Sequence, residues 1–328
     1  MSMNTTNSAL LTRSEIWSTQ LKEVLQDNLE AQGWVNWLSE FPDGDQFTIP
    51  SIGESTIRDY AEDTDVVFDA LDTGEFTFAI TEYLSSGHYI TEKARQDLFY
   101  ASQLESKFVP SQARALAEKL ETDILALAAG GASGGQTAAA VNAINGADHR
   151  WVGVGTNETF AVTDAAKALF ALKKANVPSS NLIAIVDPSV EYAINTITNI
   201  TNLSDNPRWE GIIETGIGSD MRFIKNIFGF DFYVSNYLTA SGATQNGVES
   251  IDAGPGALTT AAGVCNIFMS AASGDIVPFM GAMRQTPKVD AQYNINKQRE
   301  EYVTTARYGL KVYRPENLVV VLTDTDQV

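Results

Sequence analysis

Side chains able to do acid–base or nucleophilic chemistry are few in this sequence. It contains two histidines, His88 and His149, and one cysteine, Cys265. Both histidines stand in loop-like contexts, which favours exposed positions over catalytic ones. The cysteine lies within the apolar run 264–269, and this context predicts a buried thiol. With so few nitrogen and sulfur ligands, we expect neither a catalytic centre nor a structural zinc site.

Two short glycine-containing motifs resemble those of enzymes, but both lack the required surroundings. Residues 131–135 match the G-x-S-x-G pattern of hydrolases, which needs a strand before it and a helix after it. Here an amphipathic helix is predicted before it, so a flexible linker is the favoured interpretation. Residues 153–155 lack the third glycine of a dinucleotide-binding motif, and no P-loop sequence occurs. The sequence therefore predicts no cofactor.

Carboxylates are concentrated between Glu54 and Glu75, a stretch that holds eight acidic residues and one basic residue, Arg58. Carboxylate clusters can bind calcium, but calcium loops place a glycine at the turn and a bidentate glutamate at the end. Neither feature occurs here at the required spacing. The favoured interpretation is a solvated surface at the tip of a loop.

The whole chain is acidic, since 22 Lys and Arg residues against 41 Asp and Glu residues give a formal net charge of −19 over 328 residues. Affinity for nucleic acids comes mainly from cationic side chains that neutralise phosphates, so tight DNA binding is not expected. Such a chain can still enclose DNA, because salt screens repulsion beyond about 8 Å. No apolar run approaches the roughly 20 residues that cross a bilayer, and the polar N-terminus predicts no secretion signal.

The first 90 residues show two different periodicities. Near the N-terminus, apolar residues at helical spacing predict a short amphipathic arm; they are Leu21, Val24, Leu25 and Leu29. Further along, apolar and polar residues alternate in two stretches, which predicts the two strands of an extended loop. The apolar residues of these strands are Phe47, Ile49, Phe76, Phe78 and Ile80.

A two-stranded hairpin is marginally stable alone in water, so this loop must pack on another surface. The sequence leaves two alternatives open: the loop packs on its own chain, or it lies across a neighbouring subunit. The candidates for contacts between subunits are Phe47, Ile49, Arg58, Phe76, Phe78 and Ile80.

The rest of the chain alternates between helical and strand patterns. Residues 91–127 have helical periodicity interrupted by Pro110, which predicts one kinked helix or two nearly collinear helices. The next 140 residues are typical of a compact α/β unit with a buried strand at 182–186. Later strand candidates would pair with the long helix and form a second domain; they lie at 264–269, 276–280, 302–312 and 318–322.

The order of these elements resembles that of the major capsid proteins of tailed bacteriophages, the Hong Kong 97-like family. The resemblance covers about residues 40–325 and depends on a series of segments rather than on one motif. The segments are the two-stranded stretch 46–89, the helix end ARALAEKLETDIL at 113–125, NVP at 176–178, GFDFYVSN at 229–236 and YGLKVYRPE at 308–316.

This resemblance implies an α+β Hong Kong 97-like capsid fold in four parts. The expected parts are an N-terminal arm at 1–45, an extended two-stranded loop at 46–90, a peripheral domain with a long spine helix at 91–134 and 275–328, and an axial α/β domain at 135–274.

The resemblance also implies a structural protein, not an enzyme, that assembles with itself. We expect hexamers and pentamers of an icosahedral phage head that encloses double-stranded DNA, in the virion capsid after assembly in the host cytoplasm. Expected partners are a separate scaffolding protein, because only about 45 residues precede the loop, a portal protein and, in some shells, a decoration protein. Two alternatives stay open: an encapsulin-like bacterial nanocompartment with the same fold, and an acidic soluble hydrolase. No metal or membrane contact is expected.

Overall fold

The computed structural model describes part of the expected arrangement. The described residues are 31–39, 46–52, 57–59, 62–63, 65, 73–97, 101–128, 143–196, 223–238, 240–241 and 263–324. The predicted amphipathic arm before Ala31, most of the loop tip and the glycine-rich linker after the long helix lie outside these residues.

The described part of the chain contains both helices and strands. The α-helices are α1 Glu92–Asp97, α2 Ala101–Ala126, α3 Val162–Lys174 and α4 Pro188–Thr196. The strands up to the middle of the chain are β1 Val35–Leu38, β2 Gln46–Ile52, β3 Thr73–Ala79, β4 Glu82–Thr91, β5 Ala143–Ile144, β6 Ala147–Asp148, β7 Arg150–Val152 and β8 Leu182–Val186. The later strands are β9 Phe223–Ile227, β10 Phe230–Val234, β11 Ala240–Ser241, β12 Gly263–Ser270, β13 Phe279–Asn294, β14 Arg299–Val312 and β15 Val319–Asp324.

A four-stranded sheet in the order β1-β13-β14-β4 is built around one long hairpin, β13 and β14. Strand β1 runs parallel to β13, and β4 runs antiparallel to β14. Helix α2 covers one face of this sheet with Leu116, Leu120 and Ile124, which are buried at helical spacing. Pro110 lies inside α2 without ending it, so at this residue the first of the two alternatives, one continuous helix, is the one observed.

Side-chain hydrogen bonds fix the position of α2 on the sheet. The amide of Gln112 donates to the backbone oxygen of Tyr302 over 3.0 Å and accepts from the hydroxyl of Thr304 over 2.9 Å. Near the other end of α2, the hydroxyl of Tyr308 donates to Asp123 over 2.6 Å. Burial is the main cause that raises the pKa of Tyr308, so this phenol stays protonated and acts as a donor.

A seven-stranded sheet contains the path β7-β15-β12-β8-β10-β9, with β11 paired to β12 outside this path. Its central strands β8, β12 and β15 are buried along their whole length, as expected for strands covered on both faces. In α3, Ala165, Ala168 and Leu172 form a buried stripe, which belongs to the core on one side of this sheet.

The strand pairing crosses some of the expected boundaries between the parts of the chain. Strand β15 lies between β7 and β12 in the seven-stranded sheet, whereas the division at 274/275 assigned it to the domain of the long helix. Its residues Val319 to Leu322 are apolar on both faces and are buried, which requires a central position. Strand β4 pairs with β14, so the two-stranded part of the loop is β2 and β3 and ends at Ala79.

The expectation that His149 is exposed is wrong. Its ring is buried beside β7, and Nδ1 lies 3.0 Å from the backbone oxygen of Ala147. Burial lowers the pKa of His149, against smaller opposite effects of the Ala147 and Glu316 carbonyls. The neighbouring Arg150 is also buried and donates to the backbone oxygen of Ala128 over 2.5 Å. This contact joins the end of α2 to the edge of the seven-stranded sheet.

Asp164 organises the start of α3 from a buried position. Its carboxylate accepts from the indole nitrogen of Trp151 over 2.9 Å, from the backbone nitrogen of Ala161 over 2.9 Å, and from that of Val154 over 3.2 Å. Burial raises the pKa of Asp164, while these hydrogen bonds act in the opposite direction. One side chain therefore links β7, the following turn and the helix.

Replacing Asp164 with Asn is expected to lower the free energy of unfolding of the unassembled subunit by about 1–3 kcal/mol, because one acceptor oxygen is exchanged for a donor. Urea unfolding measured by tryptophan fluorescence tests this. The matched control is Asp148→Asn, whose half-exposed carboxylate lies 3.7 Å from Lys167 and should change stability by less than about 1 kcal/mol. Equal losses in both variants would contradict the importance of the buried hydrogen bonds.

Candidate assembly surface

The base of the two-stranded loop crosses the four-stranded sheet at close range. Strands β2 and β3 pair in antiparallel register from Gln46 opposite Ala79 onwards. After this pair the chain passes over Gly309 of β14, where an added Cβ would lie 2.5 Å from the backbone oxygen of Ala79. Only a residue without a side chain permits this approach, so Gly309 determines how closely the loop base lies on the sheet.

Apolar side chains fill the contact between the loop base and the four-stranded sheet. Phe78 is fully buried and Ile80 nearly so, in one cluster with Met280 and Ala282 of β13. Ile49 of the partner strand β2 packs against the same cluster while partly exposed. These contacts belong to one chain, so the loop base forms part of the subunit's own core.

A lysine and two aromatic rings hold the next part of the loop. The rings of Phe76 and Tyr313 meet edge to face with centroids 5.1 Å apart. The ammonium group of Lys311 lies 4.7 Å from the centroid of Phe76 and donates to the backbone oxygen of Thr77 over 2.7 Å. A cation over an aromatic ring is favourable, and here it also supplies a hydrogen bond to β3.

These positions decide between the two alternatives for part of the loop. Phe78 packs on its own chain and is fully buried within the single subunit. Ile80 keeps only a small exposed fraction, whereas Ile49 and Phe76 are partly exposed at the edge of the same cluster. The side chain of Phe47 lies outside the described residues, although its backbone pairs with β3.

Farther out along the loop, the described residues are exposed. Ile57 is 95% exposed, and the neighbouring Arg58 and Asp59 are exposed as well. Along β3, burial decreases from Phe78 through Phe76 to the exposed Glu75. These described residues therefore lie outside the core that is formed at the loop base.

A second exposed apolar surface was not predicted from the sequence. It lies on the face of the four-stranded sheet opposite α2, where Tyr83 is 67%, Tyr89 59% and Val303 38% exposed. Gly87 pairs with Val303 and carries no side chain to cover it. The guanidinium of Arg299 lies 4.3 Å from the ring centroid of Tyr89. The alternation within residues 82–90 was the available signal, but this stretch was assigned to the loop.

Within the described ranges, no group of three or more His, Cys, Asp or Glu side chains is arranged to hold a metal ion. No helix in this part of the chain is both long and apolar enough to cross a membrane. The exposed apolar residues on the face of the four-stranded sheet, together with Ile57 of the loop, are typical of surfaces that bind another protein.

Comparison with known proteins identifies a family. The family model described as phage capsid protein matches residues 59–321, which is most of the chain. No curated protein matches at a significant level.

Solved phage structures share the fold over nearly their whole length. A structure from Mycobacterium phage Che8 is 18% identical, with a TM-score of 0.65 and coverage of 94% of this chain and 96% of its own. The capsid of cyanophage P-SCSP1u is 14% identical, with a TM-score of 0.70 and coverage of 97% and 94%. The capsid asymmetric unit of cyanophage Pam1 is 15% identical, with a TM-score of 0.67 and coverage of 100% and 99%.

At these identities the structural likeness shows the fold alone, and it confirms the expected Hong Kong 97-like fold. The family match favours neither the nanocompartment nor the hydrolase. This chain belongs to the phage capsid protein family and is a major capsid protein, the subunit of a bacteriophage shell.

Proposed function

We propose that this protein forms hexamers and pentamers that close an icosahedral head around double-stranded DNA, and that it does so without enzymatic activity. The observation that carries the proposal is the two-stranded loop, which is packed on its own chain at Phe78 and exposed at its described outer residues, such as Glu75 and Ile57. Isolated two-stranded hairpins are marginally stable in water. A neighbouring copy that covers the outer part of the loop would supply the missing burial.

The exposed face of the four-stranded sheet is the second surface that supports this function. Tyr83, Tyr89 and Val303 expose apolar area on one face of a sheet whose other face is covered by α2. Obligate interfaces commonly bury more than about 2,000 Å² and are more apolar than the rest of the surface. We infer that the loop and this face together contribute to contacts between subunits.

In this proposal the loop, the unit of α2 with the four-stranded sheet, and the α/β unit act as the extended loop, peripheral domain and axial domain of a shell subunit. Assembly takes place in the host cytoplasm with the help of a scaffolding protein and a portal, and a decoration protein binds outside in some shells. The net charge of −19 supports a container that surrounds DNA without tight specific binding.

Ile57→Asp is expected to leave the subunit as stable as the wild type and to block the formation of closed particles, because a charge replaces an exposed apolar side chain of the loop. Phe78→Asp should instead lower the free energy of unfolding of the subunit by at least about 3 kcal/mol, since it removes a buried ring. Urea unfolding of subunits and electron microscopy of assembled particles measure the two effects.

Ile57→Val, which keeps an apolar side chain, is the conservative control and should form particles like the wild type. Normal particles from Ile57→Asp would contradict a role of this residue between subunits. A stable, soluble Phe78→Asp subunit would contradict the packing of the loop base.

We also expect the shell to be held together without covalent cross-links through the loop. No lysine occurs between Gln46 and Glu92, and the guanidinium of Arg58 is a poor nucleophile. Lys311, which reaches the loop base, already donates to the backbone of Thr77. Mature particles boiled in denaturant should therefore run as one band at the monomer mass in gel electrophoresis. A ladder of oligomers would show that another lysine, such as Lys93, forms the bond.

A further inference from the structure

An apolar groove of about 210 Å³ lies between α2 and the β13–β14 hairpin. Leu116, Leu120 and Tyr308 form its buried floor, while Ala113 on one rim and Pro287 on the other are exposed. Empty apolar cavities of about 150 Å³ in proteins bind molecules of the size of benzene. The groove is therefore large enough for a leucine side chain, and its small alanines allow a second helix to come close.

The chain itself leads to one end of this groove. The backbone nitrogen of Ala31 donates to both carboxylate oxygens of Glu121, over 2.9 and 3.0 Å, and Ala31 is buried. The next residue, Gln32, lines the groove. The thirty residues before Ala31 thus join the described chain at the end of the groove marked by Leu120.

The sequence just before Ala31 has a pattern that matches the groove. Leu21, Leu25 and Leu29 are spaced by four residues, as are Leu116 and Leu120 on α2. Two helices that run in the same direction advance equally, by about 1.5 Å per residue. Starting from the contact of Ala31 with Glu121, a parallel arrangement brings Leu29 and Leu25 to within about one residue of the level of Leu120 and Leu116.

We propose that residues 14–29 dock into this groove of their own chain as an amphipathic helix parallel to α2. Leu21, Leu25 and Leu29 would fill the groove, while Glu23 would lie on the opposite, solvated side of the helix. The direct link through Ala31 gives this segment a high effective concentration at the groove, which favours it over the same segment of a neighbour. The proposal concerns the single subunit and does not depend on whether shells close.

Disulfide trapping in the full-length protein tests the proposal. In the double variant Leu25→Cys with Ala117→Cys, mild oxidation should join the two residues, because a disulfide forms only when the Cβ atoms approach to about 3.5–4.5 Å. The natural Cys265 is fully buried and stays in place. The matched control is Glu23→Cys with Ala117→Cys, which places the thiol on the opposite side of the proposed helix.

The expected result is a species of monomer mass in which mass spectrometry finds the linked peptides, with a several-fold higher yield than in the control. The second pair, Leu21→Cys with Ala113→Cys, lies about one turn away along both helices and should behave alike, which guards against misfolding of one variant. Covalent dimers would show that a neighbour's segment fills the groove and would overturn the proposal. No disulfide in either pair, or equal yields in the control, would also overturn it.

Discussion

The burial of the C-terminal half of α2 is the constraint on which both sheets depend. Leu125 and its neighbours enter one continuous core with residues of the four-stranded sheet, such as Phe279, and of the seven-stranded sheet, such as Ile267. Close-packed interiors tolerate little displacement, so a helix that fills the space between two sheets also fixes their relative position. Because the loop base packs on β13 and β14, the same helix determines where the loop begins.

Apolar packing alone does not fix the position of a helix along a sheet, because apolar contacts are not directional. Buried hydrogen bonds fix the position of α2. Gln112 finds its partners on β14 in one register only, and the bond from Tyr308 to Asp123 fixes the other end of α2. Where the two units meet, the hydroxyl of Tyr237 donates to Glu118 over 3.1 Å. A buried polar group that loses its partner costs stability, so a shift of α2 by one residue would be opposed at several points simultaneously.

Apolar periodicity in the sequence predicted the helices and strands whose pattern of burial repeats over a few consecutive residues. The continuous apolar run 182–186 gave β8, helical periodicity gave α2, and alternation around Phe78 gave β2 and β3. Of the long hairpin, β14 was predicted over 302–312 but β13 only at its start, because β13 beyond Met283 is largely exposed and polar and no apolar alternation marks it. The burial of Phe78 could not be predicted, since Met280 and Ala282 come from about 200 residues further along the chain. The burial of His149 was not predicted, because the polar residues 148–150 give no sign of the short strand β7.

The division of the loop into a buried base and an exposed outer part has a consequence for assembly. A loop held only by its neighbours would lose conformational freedom each time a subunit is added, and this loss opposes association. Here Phe78, Gly309 and Lys311 fix the base within the subunit, so the direction in which the loop leaves is already determined. Contacts of this kind close into rings only when the rotation between neighbouring subunits fits, and otherwise they form open assemblies. An error in the direction of the loop would be repeated in every copy, and this explains why the loop base is packed as tightly as a core.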